Sequence, residues 1–128
     1  MSNLLNKQQV FDKVAAHLLA QGITSSKGHE VGGTCLYRGP NGTKCAVGCL
    51  IPDDLYSPNM EGKSVPGSVS PDFPDLDSML GRVLTQIVEQ DTFPLLAALQ
   101  VLHDTIKPEF WDVELRNSAI KFNLTVKF

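Results

Sequence analysis

The segment from Cys35 to Lys63 constrains the fold more than any other part of the chain. It reads CLYRGPNGTKCAVGCLIPDDLYSPNMEGK and gathers all three cysteines, a Gly-Pro-Asn-Gly turn cluster, a Pro-Asp-Asp turn and a Met-Glu-Gly tripeptide. Such a concentration of special residues specifies local geometry tightly. Asn41 and Gly42 both tolerate the left-handed conformations of a tight turn, so residues 34–38 and 43–51 are expected to form a β-hairpin around them. Cys45, Ala46, Gly48 and Cys49 make the second arm small enough for close backbone approach. The same stretch also fits a helical turn beginning at Ala46 and stopped by Pro52.

Helical periodicity surrounds this segment. Val10, Phe11, Val14, Ala15, Leu18 and Leu19 draw one apolar stripe, predicting a helix over Lys7–Gln21. Asn6 with Gln9 forms a capping box, Leu5 and Val10 a hydrophobic staple, and Gly22 the stop. Residues 24–33 are polar and glycine-rich and are expected to be an exposed loop. Pro52, Pro58, Pro66, Pro71 and Pro74 punctuate a long irregular excursion, of the kind that is functional or disordered in compact domains. Three more helices are expected beyond it. The first carries Leu76 to Val88 behind Asp75. The second carries Leu95 to Ile106 behind Asp91 or Thr92, with Pro94 in its first turn. The third follows Pro108 and carries Phe110, Trp111, Leu115, Ala119 and Phe122. Residues 124–128 alternate and fit an edge strand added to the hairpin.

One domain suffices for 128 residues, and that length buries roughly two-thirds of the unfolded surface without disulfide staples. A net charge of −3, with Lys and Arg scattered, argues against broad nucleic-acid binding, which needs a basic face to displace counterions. The first residues lack the basic-then-apolar pattern of an export signal, and no run of about 18 apolar residues exists to span a membrane. Three cysteines, an odd number, fit a reducing cytoplasm better than a disulfide framework.

The pattern Cys35-Leu-Tyr-Arg-Gly39, Lys44-Cys-Ala-Val-Gly-Cys-Leu-Ile-Pro-Asp53, Tyr56 and Met60-Glu-Gly-Lys63 resembles a family of uncharacterised small proteins found in bacteriophages and bacteria, often with prophages. The likeness extends to the opening helix, to Leu99-Gln-Val-Leu-His-Asp104 and to Trp111. It implies a bacterial or phage cytoplasmic setting and carries no mechanism.

Several residues invite a chemical role. Cys35, Cys45 and Cys49, with His29 or alternatively His103, have the donor types of a closed zinc site, although the tight C-x2-C knuckle is missing and buried cysteines commonly pack as small hydrophobes. His103-Asp104 matches a metal-binding pair but stands without the further ligands a phosphohydrolase needs. A place at a helix C-terminus, offsetting exposed carbonyls, is the simpler expectation. Residues 39–44 lack phosphate-loop spacing. Asp53 and Asp54 fit a solvated turn better than an acid–base pair. Tyr37, Arg38, Asp53, Tyr56 and Met60 are the expected binding residues, since Tyr and Arg are enriched at interface hot spots and these would cluster if the Pro52 loop folds back on the hairpin.

The expected fold is therefore α+β: an N-terminal helix, a small hairpin or sheet, a long proline-rich loop and three C-terminal helices. The leading functional expectation is a non-catalytic cytoplasmic accessory protein that engages a host protein through the hairpin and loop. A zinc-stabilised structural domain is the second. The third is a small-nucleotide binder or enzyme using the Cys35–Lys63 surface, with Arg38, Lys44 and Lys63 as phosphate donors.

Overall fold

Helix α1 runs over Lys7–Gln21, the span set by its apolar stripe. The Asn6 side chain accepts from the Gln9 amide while the Gln9 side chain accepts from the Asn6 amide, each at 2.9 Å. Gly22 closes the helix at φ 71, a left-handed conformation that glycine enters without steric cost. The structure, a computed structural model, describes residues 4–26, 36–61 and 79–128. Asp75, Leu76, Pro66, Pro71 and Pro74 lie outside the described residues.

Three further helices follow, α2 over Met79–Leu84, α3 over Phe93–Thr105 and α4 over Trp111–Lys121. Helices α1, α3 and α4 pack on one another, and Val10, Phe11, Val14, Leu18, Leu95, Leu96, Leu99, Trp111 and Leu115 are buried at their junction. Each large apolar side chain taken fully out of water there contributes roughly 1.5–3 kcal/mol. Pro94 sits in the first turn of α3, where its missing N–H costs nothing. Pro108 opens a 3₁₀ turn over Pro108–Phe110 that leads into α4, and the Trp111 indole N–H donates to the Ile106 carbonyl at 2.9 Å.

The expected sheet is replaced by helix and turn. Among the described residues there is no β-strand; isolated bridges pair Arg38 with Lys44 and Leu5 with Val88. The turn itself forms as its residues dictate, with Asn41 at φ 59 and Gly42 at φ 75, and the Gly39 amide donates to Thr43 O at 2.8 Å. Beyond that bridge the arms diverge because their backbone groups find other partners. Tyr37 and Arg38 give their amides to the Glu61 carboxylate, and Lys44 gives its amide to Gln21 at the end of α1. The second arm becomes the helical turn that its small residues also allow, a 3₁₀ turn over Gly48–Leu50.

Residues 124–128 keep the expected alternation, with Leu124 and Val126 packed against the core and Thr125 and Lys127 exposed. They pair with a side chain and not with a strand. The Gln8 amide accepts from Thr125 N and donates to Thr125 O, both at 2.9 Å, reproducing both hydrogen bonds of a strand partner. Residues 24–26 also depart from expectation, being buried where an exposed loop was predicted.

Gly48 marks the closest backbone approach in the irregular half. A Cβ at this position lands on the carbonyl oxygen and carbon of Tyr37, backbone atoms that have no rotamer by which to withdraw. Gly48→Ala is expected to destabilise the fold by about 2 kcal/mol or more. Urea denaturation of the variant beside the parent protein measures this directly.

Candidate functional site

The Pro52 loop folds back on residues 37–38, and a single carboxylate organises the contact. Glu61 Oε1 accepts from the Tyr37 amide at 2.8 Å, while Oε2 accepts from the Arg38 amide at 3.1 Å and from the Tyr56 hydroxyl at 2.7 Å. Just before it, the Ser57 side chain caps a 3₁₀ turn over Pro58–Met60, and the Met60 side chain is buried. The Met-Glu-Gly tripeptide thus contributes a buried anchor and an anion that holds two backbone donors.

Arg38 is fixed on the outer side of this hub. Its guanidinium donates to Asp53 Oδ1 at 2.6 Å and to the Ile51 carbonyl at 2.9 Å, and it lies 4.6 Å from the centroid of the Tyr56 ring. Planar delocalised charge suits this combination of forked donation and ring stacking. The Asp53 side chain is 86 % exposed, so its carboxylate faces solvent while still pairing with the cation.

Of the expected binding residues, Arg38, Asp53 and Tyr56 come together at the surface. Tyr37 and Met60 do not join them as contact residues; both are buried, Tyr37 beneath the Gly48 turn and Met60 in the core. Glu61 is not among the expected binding residues. The signal that marks it is its place in the Met-Glu-Gly tripeptide, the one acidic residue between Tyr56 and Lys63.

Cysteine and histidine chemistry is largely committed inward. Cys35 and His29 lie outside the described residues. Cys45 Sγ accepts from the Gly48 amide at 3.3 Å, and the Cys49 thiol donates to Ala46 O at 3.1 Å. Burial pushes the Cys49 thiol up to about 12, against weaker opposing effects of Lys13 and Lys44, so it stays protonated and unreactive near neutral pH. Among the described residues no three His, Cys, Asp or Glu side chains are grouped to hold a metal.

His103 stands in the last turn of α3. It is buried, its Nε2 accepts from the Ser25 amide at 2.9 Å, and its Nδ1 bonds Asp104 at 2.8 Å. An acceptor role at Nε2 leaves the proton on Nδ1, which therefore donates to the carboxylate. Gln100 extends the set, accepting from Val47 N at 3.2 Å and donating to Asp104 at 2.9 Å. The network binds two irregular segments to α3.

In comparisons with known proteins, no protein-family model, no curated protein and no solved structure matches this chain. Among the described residues no helix is long and apolar enough to cross a membrane.

The hub makes two expectations measurable. Glu61→Ala leaves two backbone donors and a phenol without their acceptor and is expected to cost about 3 kcal/mol of stability, read from denaturant titration. Tyr56 is pushed up to about 12 by burial first, then by its hydrogen bond to Glu61 and that residue's charge, with Arg38 opposing. Folding thus favours the neutral phenol. Its contribution is complete below the ordinary tyrosine value near 10 and is lost as pH rises toward about 12. In a Tyr37→Phe background, the ultraviolet signal of tyrosinate should appear near pH 12 and move down when Glu61→Gln is added. A folded-state midpoint near 10 contradicts the assignment.

Proposed function

We propose that the chain is a non-catalytic binding protein of the phage- and bacteria-borne family whose motif it resembles, and that it engages a host protein in the bacterial cytoplasm through the face built by Arg38, Asp53 and Tyr56. The observation that supports this reading most is the immobilised Arg38 side chain, half-buried and held at once by the exposed Asp53 carboxylate, the Ile51 carbonyl and the Tyr56 ring. Arginine and tyrosine carry a large share of binding energy at protein interfaces, and a side chain already fixed in one rotamer loses little entropy on docking. A carboxylate already paired with the guanidinium competes with any phosphate, so the same geometry disfavours the nucleotide-binding reading.

The test is capture by the immobilised protein from bacterial lysate, identification of the retained protein, and its affinity for variants. Arg38→Ala combined with Tyr56→Ala is expected to weaken binding by at least about 30-fold. Asp53→Lys, which leaves the Glu61 hub untouched, is expected to weaken it as well. Circular dichroism checks that each variant is folded. Folded variants that bind the partner as tightly as the parent would overturn the proposal.

A further inference from the structure

Helix α4 is apolar on two faces. Trp111, Leu115 and Ala119 enter the core, whereas Phe110, Val113 and Ile120 are 54, 56 and 75 % exposed. At 3.6 residues per turn, positions 113, 117 and 120 fall on one outward stripe of α4, preceded by Phe110 in the 3₁₀ turn that leads into it, with the exposed Asn117 between Val113 and Ile120. The alternation of three- and four-residue steps is the spacing of a seam between two helices. Glu114 and Lys121 border the stripe on one side, and neither enters a salt bridge among the described residues. Arg116 borders the other side, pairing with Asp112 at 2.6 Å and donating to Phe128 O at 2.7 Å.

We propose that this stripe is an isologous dimer contact, in which α4 packs antiparallel against α4 of a second copy of the chain about a two-fold axis near Asn117. That axis sets Val113 of each copy beside Ile120 of the other, and Glu114 of each beside Lys121 of the other. One operation therefore matches apolar to apolar and acid to base. A parallel pairing fails the same charge comparison, because flanking positions five residues apart then meet and Arg116 faces Lys121. Asn117 lies near the axis, where its amide, donor and acceptor together, pairs with its own copy. A helix of 11 residues covers less than the roughly 800 Å² per partner of a standard interface. The dimer is accordingly weak and reversible, with Kd of about micromolar or higher. It uses none of the residues of the Arg38 face and stands independently of that reading.

Sedimentation equilibrium over a concentration series tests it. The parent protein is expected to rise from the 14.0 kDa monomer toward twice that mass as concentration increases. Ile120→Asp, at a position 75 % exposed, should remain folded and weaken association by at least about tenfold. Glu114→Lys should also weaken it, and adding Lys121→Glu should restore it. The proposal is overturned by a parent protein that stays monomeric throughout, by a dimer indifferent to Ile120→Asp, or by a charge swap that leaves association as weak as the single reversal.

Discussion

Much of the described chain lies outside the α-helices, and buried irregular backbone must find hydrogen-bond partners that a sheet would otherwise provide. Side chains supply them. His103 takes the Ser25 amide, Glu61 takes those of Tyr37 and Arg38, Gln21 that of Lys44, Gln100 that of Val47, and Gln8 that of Thr125. Four of these five acceptors stand on α1 or α3 and the fifth, Glu61, follows the Pro52 loop; the helices act as fixed racks to which the loops are fastened. An unmatched buried donor costs about 1–3 kcal/mol, so a few such acceptors amount to a large part of a small domain's net stability.

This arrangement explains what could be read from the chain and what could not. The limits of α1, its capping box and its glycine stop were legible because each is a local signal carried within a few residues. So were the identities of α3 and α4, whose apolar stripes and prolines are equally local. The hairpin was misjudged for a reason of the same kind. Asn41-Gly42 does turn the chain, but continuation into strands depends on whether neighbouring backbone pairs with itself, and Gln21 and Glu61 had already taken those positions. Nothing local distinguishes a glutamine that accepts a distant amide from one that faces water. Of the site, Arg38, Asp53 and Tyr56 were identifiable as residue types suited to contact. Burial of Tyr37 and Met60, and the central place of Glu61, follow from packing that no short motif encodes.

The surface has two regions of different character. Around Arg38 the groups are polar, interlocked and held from beneath by a carboxylate, so that disturbing the hub and disturbing the exposed face are separable acts: Glu61 supports the local backbone, whereas Asp53 touches mainly solvent and one guanidinium. Along α4 the outward stripe holds Val113 and Ile120 on either side of Asn117, bordered by Glu114 and Lys121 on one side and the Arg116–Asp112 pair on the other. A protein able to use both could hold a host component with one face while meeting its own copy with another, and each contact could be altered without the other.

The two hydrogen bonds between Gln8 and Thr125, with the Lys127–Asp12 pair at 2.9 Å beside them, join positions more than a hundred residues apart in the chain. During synthesis α1 leaves the ribosome first, and its apolar face has no cover until α3 and α4 have followed. The Gln8 and Asp12 contacts cannot form before residues 125–127 have followed. Closure of this domain thus waits on contacts of large sequence separation, and until α3 and α4 arrive the face of α1 that they bury stays open to water.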